Sequence, residues 1–331
     1  MEHKRLQFLV PQYKETEEVI SFLLDSIECQ VCIDKKDIGV IICSDGGEYI
    51  LDQKFLDKYS YDIDYVICAH RGVSSTRNSA FFLSDADYVM YCDSDDGFCN
   101  TFAIKIIFEN IDICEKEGKP FDLMSGKFYS EKQADGETAW SLSIYDHNNI
   151  YIHGRVYRRD FLVYNNLYFN EKIWANEDSF FNISTNFYSK NTKLLNIPIY
   201  CWRGNPQSVT HDPKYIMKTL HQLIYSNDSV VETMLMLNMD KKAIGKSTFD
   251  LICKLYLDMN KPCWHKKENA QYKDITLKTL KWYINKRGTL CNCLTDDDKK
   301  EVLQGARNTQ HYANIESITF NDFIKLVMSY E

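Results

Sequence analysis

"YVMYCDSDDGF", residues 88–98, decides how this chain is read. An apolar run ends abruptly in Asp93, Asp95 and Asp96, with only Ser94 among them. Carboxylates this close repel one another, so the arrangement asks for a positive partner. A strand-end run of carboxylates offers oxygen ligands to a hard cation such as Mg²⁺ or Mn²⁺, which completes its shell with substrate phosphates. Taken alone, the same pattern also suits an ordinary acidic turn.

The residues before this stretch alternate strand and helix. "LQFLV" is a short apolar strand, and "PQYKETEE" breaks it and opens a helix with acidic residues in its first turn, as the helix dipole prefers. Ile20, Leu24, Ile27 and Val31 follow at helical spacing. "IGVIIC" and "IDYVICA" are two further strands; Ser74 or Ser75 can cap the helix "TRNSAFFL". Continuous apolar strands favour a sheet covered on both faces and built from βαβ units. Ligands bind such sheets beyond the carboxyl ends of the strands. The polar clusters Pro11–Tyr13, Asp45–Gly47, His70–Arg77 and Asp93–Asp96 all fall there.

Beyond residue 100 the pattern is mixed. "TFAIKIIFENIDICEKEG", "RRDFLVYNN" and "EDSFFNISTNFYS" read as helices, and "FDLMSGKFYS", "TAWSLSIY" and "KLLNIPIYCW" as strands. From about Asp212 the pattern is helical. The expected division is 1–210 and a helical unit over 211–331.

The chain has 331 residues, 44% hydrophobic and 26% charged, with 6 prolines, 13 glycines and a net charge of −8, the composition of a globular protein. This acidic balance argues against duplex DNA as a partner, since that binding draws on basic residues. No run approaches the ~18–20 apolar residues of a membrane span, and no signal-peptide pattern opens the sequence, so a cytoplasmic protein is expected. Twelve cysteines without regular spacing fit buried free thiols, and the lone pair Cys29–Cys32 is weak as a zinc motif.

"FLVPQYKE", "IICSDGG", "GVSSTRNSA", "DYVMYCDSDD" and "ANEDSFF", in this order, resemble the inverting family-2 glycosyltransferases of the GT-A fold over about residues 5–210. The resemblance implies an α/β fold with a Rossmann-like, mostly parallel central sheet flanked by helices, here with a C-terminal helical extension. It implies that Pro11 and Tyr13 line the nucleotide base pocket, that Asp45 recognises the base edge and that Arg77 lies near the nucleotide. Asp93 would meet the ribose or the metal shell and Asp95 would ligate Mn²⁺ or Mg²⁺. Asp178 of the Glu177–Asp178 pair matches the catalytic base. Arg203, Ser208 and His211 match a segment that closes over the diphosphate, with His211 as a further metal ligand. Two departures stand out: Ala80 replaces a usual glycine, and the acidic pair after the second strand is reduced to Ser44–Asp45. Both bear on the donor base.

The implied activity is inverting transfer of a hexosyl or N-acetylhexosaminyl group from a nucleotide diphosphate sugar, a UDP-sugar above all. The acceptor would be a glycan, a lipid-linked intermediate or a polymer of a cell envelope, and the C-terminal helices would bind it or join copies into a homo-oligomer. The alternatives are a bacteriophage-type enzyme acting on a modified DNA base or virion component, a nucleotidyltransferase, and a non-catalytic nucleotide-sugar-binding module. Plain readings stand beside the sharp ones. Glu177–Asp178 also suits an acidic helix start, His211 a helix-start signal, Arg158–Arg159 surface ion pairs, and the aromatics between Tyr151 and Trp174 core packing.

Overall fold

The computed structural model describes residues 3–133, 140–146, 150–204, 214–309 and 318–331. The chain divides into two compact units, Met1–Pro206 and Gln207–Glu331.

The first unit runs β1 (Leu6–Gln12), α1 (Glu17–Glu28), β2 (Ile38–Asp45), the short α2 (Gln53–Leu56), β3 (Asp62–Cys68), α3 (Val73–Leu83), β4 (Tyr88–Tyr91) and β5 (Gly97–Phe98). It continues with α4 (Ala103–Lys116), β6 (Leu123–Gln133), β7 (Trp140–Tyr145), β8 (Arg155–Arg158), α5 (Arg159–Tyr164), α6 (Glu177–Tyr188) and β9 (Thr192–Trp202). The strands form one mixed sheet in the order β3-β2-β1-β4-β8-β6-β9-β5, with β7 hydrogen-bonded to β6. The expected parallel pairing holds across β3-β2-β1-β4 and returns at β6-β9. The pairs β4-β8, β6-β8, β6-β7 and β5-β9 are antiparallel.

Strand alternation gives each face its own core. Leu6, Phe8 and Val10 of β1 pack with Ile20 and Leu24 of α1 and Ile107 of α4. Leu9, Ile41 and Val89 face the other way, onto Phe81 of α3, Phe161 of α5 and Phe181 of α6. Strands β1, β2 and β4 are buried almost throughout, as their unbroken apolar runs predict. β3 is an edge strand with Ile67 half exposed, and Asp62 and Asp64 interrupt its apolar run.

Two local expectations are corrected. α1 ends at Glu28, which leaves Val31 outside the apolar stripe and 42% exposed. α3 begins before Ser74 and Ser75; its N-cap is Gly72 at φ 88°, a left-handed conformation suited to glycine. The backbone N–H groups of Arg71 and Gly72 instead donate to the Asp45 carboxylate, at 2.7 and 3.0 Å. Ser74 is freed to donate to the Ile173 carbonyl at 2.6 Å.

The second unit holds α7 (Tyr215–Met236), α8 (Lys241–Met259), α9 (Ala270–Arg287), α10 (Asp296–Thr309) and α11 (Phe320–Ser329). Its core gathers Tyr256, Trp264, Leu277, Leu280, Tyr283 and Phe323. The nearly buried Arg287 pairs with Asp228 at 2.7 Å and also with Glu232. No helix among the described residues is long and apolar enough to cross a membrane.

Candidate active site

The site is organised by one cation. Arg77, on α3 and 4% exposed, sends Nη2 to Asp93 at 2.8 Å and Nη1 to Glu177 at 2.7 Å and Asp178 at 2.9 Å. Its guanidinium lies over the Phe169 ring, 5.1 Å from the centroid, and Phe169 stacks on Phe181 at 4.2 Å. The next residue, Asn78, closes two hydrogen bonds with the Phe169 backbone, each 2.9 Å. The Arg-Asn pair thus holds the strand-end carboxylates and the start of α6 in one place. Asn176, at φ 62°, turns the chain into α6; asparagine tolerates that left-handed conformation better than most residues.

Three carboxylates share this one guanidinium, and two of them, Asp93 and Asp178, shift in opposite directions. Burial pushes Asp93 up, but the charge of Arg77, with His153 and the Arg77 hydrogen bond, brings it below the usual carboxylate range. Asp178 moves the other way: burial raises it well above its ordinary value, and the charges of Glu177 and Asp93 add to the effect against the pull of Arg77. The positive end of α6 was expected to keep Asp178 ionised. Burial beside two like charges outweighs it.

The turn after β4 carries a second feature. Among the described residues, one ligand atom each from Asp93, Asp96 and His153 lies within 4.8 Å of the others, close enough to share a cation. Asp96 is fully buried; its Oδ1 accepts from the Arg203 N–H at 2.9 Å, while Oδ2 has no hydrogen-bond partner among the described residues. The buried Nδ1 of His153 is likewise unpartnered and stands 3.5 Å from that Oδ2. The imidazole is packed among Phe128, Tyr151, Tyr200 and Trp202, and burial pushes its pKa down to about 4. Two carboxylates and a neutral imidazole with open acceptor atoms fit a divalent cation such as Mn²⁺. Asp95, on the same turn and partly exposed, is not in this group. His153 and Asp96 were not foreseen as candidate ligands. The clue available in the sequence was the third carboxylate of the run.

At the other end of the crevice, Tyr13 follows β1 and stacks on His70 at 5.0 Å, with Lys14 Nζ 4.8 Å from the same ring. Pro11 is half-buried at the carboxyl end of β1. Asp45, at the end of β2, is buried and directed at the loop before α3, not left open. Arg203 donates to the Asp95 carbonyl at 3.4 Å and lies over the Phe22 ring. Ser208 and His211 lie outside the described residues.

A carboxylate run at the carboxyl end of a parallel strand, joined through one arginine to an acidic helix start, fits a GT-A type fold. The sequence profile of glycosyl transferase family 2 matches residues 8–191, more than half of the chain, and the protein belongs to that family. An uncharacterized glycosyltransferase, EpsJ of Bacillus subtilis (strain 168), is 26% identical over 233 residues, and the match spans 63% of each chain. Among solved structures, S. aureus TarS 1-349 in complex with UDP-GlcNAc has a TM-score of 0.65 at 15% identity, with 93% of each chain covered. The mannosyltransferase PcManGT from Pyrobaculum calidifontis, in complex with GDP-Man and Mn²⁺, has a TM-score of 0.50 at 9% identity, covering 98% of this chain and 84% of that one. Identities this low establish a shared fold.

Proposed function

We propose that the protein is a cytoplasmic, metal-dependent, inverting glycosyltransferase. It moves a hexosyl or N-acetylhexosaminyl group from a UDP-sugar to a glycan, lipid-linked intermediate or polymer of a cell envelope. The observation that carries this reading is the Arg77 bridge, which sets Asp93 and Asp178 within the span of one guanidinium. A carboxylate on the diphosphate side and another on the acceptor side are what direct displacement at an anomeric carbon requires. Asp178 receives the proton of the attacking hydroxyl, and Arg77 fixes its position. Displacement in one step inverts the anomeric centre. A divalent cation bound at Asp93, Asp96 and His153 would neutralise the charge growing on the leaving diphosphate. The complexes of TarS with UDP-GlcNAc and of PcManGT with GDP-Man and Mn²⁺ support a nucleotide-sugar donor and a metal.

Two experiments test this. In a calorimetric titration of UDP with and without Mn²⁺, Asp93→Asn and His153→Ala are each expected to weaken Mn²⁺-dependent binding by about tenfold or more. Unchanged affinity in both would remove the metal from this cluster, and loss in Asp95→Asn but not in His153→Ala would place the ion on the exposed side of the turn instead. The helical unit is proposed to bind acceptor or to join copies of the chain. A chain ending at residue 213 is expected to keep UDP binding but to lose transfer to a polymeric acceptor or to fall in solution mass. Full transfer at unchanged assembly state would leave the helices without that role.

A further inference from the structure

The donor base needs a reader, and the expected one is already occupied. Asp45 is buried, and its two oxygens accept three hydrogen bonds: Arg71 N–H at 2.7 Å, Gly72 N–H at 3.0 Å and His70 Nδ1 at 2.9 Å. These contacts fasten the β3–α3 loop to the end of β2. Tyr13 is occupied as well, with His70 stacked on its ring and Lys14 beside it. Of the two rings in this group and the carboxylate, His70 stands open, its side chain 61% exposed.

His70 is also the best oriented. The stack on Tyr13 is nearly parallel, at 10°, and fixes the ring plane. The hydrogen bond to Asp45 fixes its rotation. Gly46, at φ 90°, makes room for this approach: a Cβ there would stand 2.8 Å from the His70 Cβ. Against a carboxylate, Nδ1 carries the proton and donates. In the neutral ring, Nε2 is then an acceptor, on the side of the ring turned away from the buried Asp45.

We infer that His70 is the base-reading residue of this enzyme and that Asp45 is its positioning residue. An Nε2 acceptor held in the crevice matches a base that presents an N–H at ring position 3, as uracil does. At that position cytosine presents a lone pair, and acceptor meets acceptor. The inference rests on the proposed UDP-sugar reading and assigns its base selectivity to an imidazole in place of a carboxylate.

The test is calorimetric titration of the full-length protein with UDP and with CDP, both in the presence of Mn²⁺. Wild type is expected to prefer UDP. His70→Phe, which keeps an aromatic ring on Tyr13 but removes the acceptor, is expected to lose about five- to tenfold in UDP affinity, the worth of one hydrogen bond. Its CDP affinity should change by less than about twofold, so the preference narrows from one side. Asp45→Asn leaves one oxygen for the three loop donors, which loosens the hold on the imidazole and frees its tautomer, and it should narrow the preference less than His70→Phe does. Both variants are first checked for a wild-type thermal midpoint; should His70→Phe not fold, His70→Gln, whose amide oxygen can restore an acceptor, must keep part of the preference. A His70→Phe protein that still prefers UDP by the wild-type ratio overturns the assignment alone. A wild-type protein that binds neither nucleotide overturns the donor reading with it.

Discussion

Asp178→Asn is expected to lower turnover by about 10²–10⁴-fold, the usual cost of removing a general base, while UDP affinity stays within about twofold. The asymmetry follows from position. Asp178 is hydrogen-bonded to the Arg77 that also holds Asp93, and an amide at the same place keeps an acceptor for Nη1. Glu177, bound to the same Nη1 at 2.7 Å, is expected to matter less for chemistry and more for holding the guanidinium. The pH profile gives an independent check. The Asp178 pKa is raised, and the base form is the unprotonated one, so turnover should climb with pH along a limb set well above the usual carboxylate range. Asp178→Asn should abolish that limb along with the rate. Near-normal turnover in Asp178→Asn with loss in Glu177→Gln would exchange the two roles. Activity in both would reduce the pair to a helix start.

Removing Arg77 should have the largest effect on stability. Three carboxylates of limited exposure would be left without the charge that holds them together. Leaving a buried charge unpaired costs about 3–5 kcal/mol, so Arg77→Met is expected to lose stability on that scale in urea unfolding at pH 7. Part of the loss should return near pH 5, because the unpaired carboxylates then take up protons that they bind more tightly in the folded state. Arg77→Lys should recover little: an ammonium is a single point and cannot reach both Asp93 and the acidic pair as a planar fork does. A loss below about 1 kcal/mol in Arg77→Met would show that the carboxylates already stand neutral without it.

Much of this arrangement was legible before the structure. β1, β2, β3 and β4 each read as an apolar run, and each ends where a polar cluster begins, because burial and its interruption are local properties of the chain. The acidic start of α6 and the carboxylates after β4 were legible for the same reason. What the sequence hid was who faces whom. The triple run 93–96 asked for a cation, and a metal was the answer offered, whereas Arg77 already supplies one at 2.8 Å from Asp93. His153 carries no local mark of its role; its place beside Asp96 depends on the ring box formed by β6, β9 and the chain before β8. Asp45 looked open because nothing in "CSDGG" reveals that the loop 70–72 folds back over it.

The Arg77 bridge also sets a timetable. Its acidic partners at 177 and 178 lie 100 and 101 residues downstream. At roughly 5–20 residues per second, a ribosome needs about 5–20 s between making the cation and making the carboxylates that receive it. Within that interval β1, β2 and β3, and then β4 once residues 88–91 are made, can pair, but α6 with its acidic start does not yet exist. Closing a loop of that length is among the slow steps of assembly. The nascent chain therefore acquires its parallel strands before it acquires the acidic helix start that Arg77 binds, and a half-made chain carries the cation without two of its three anions.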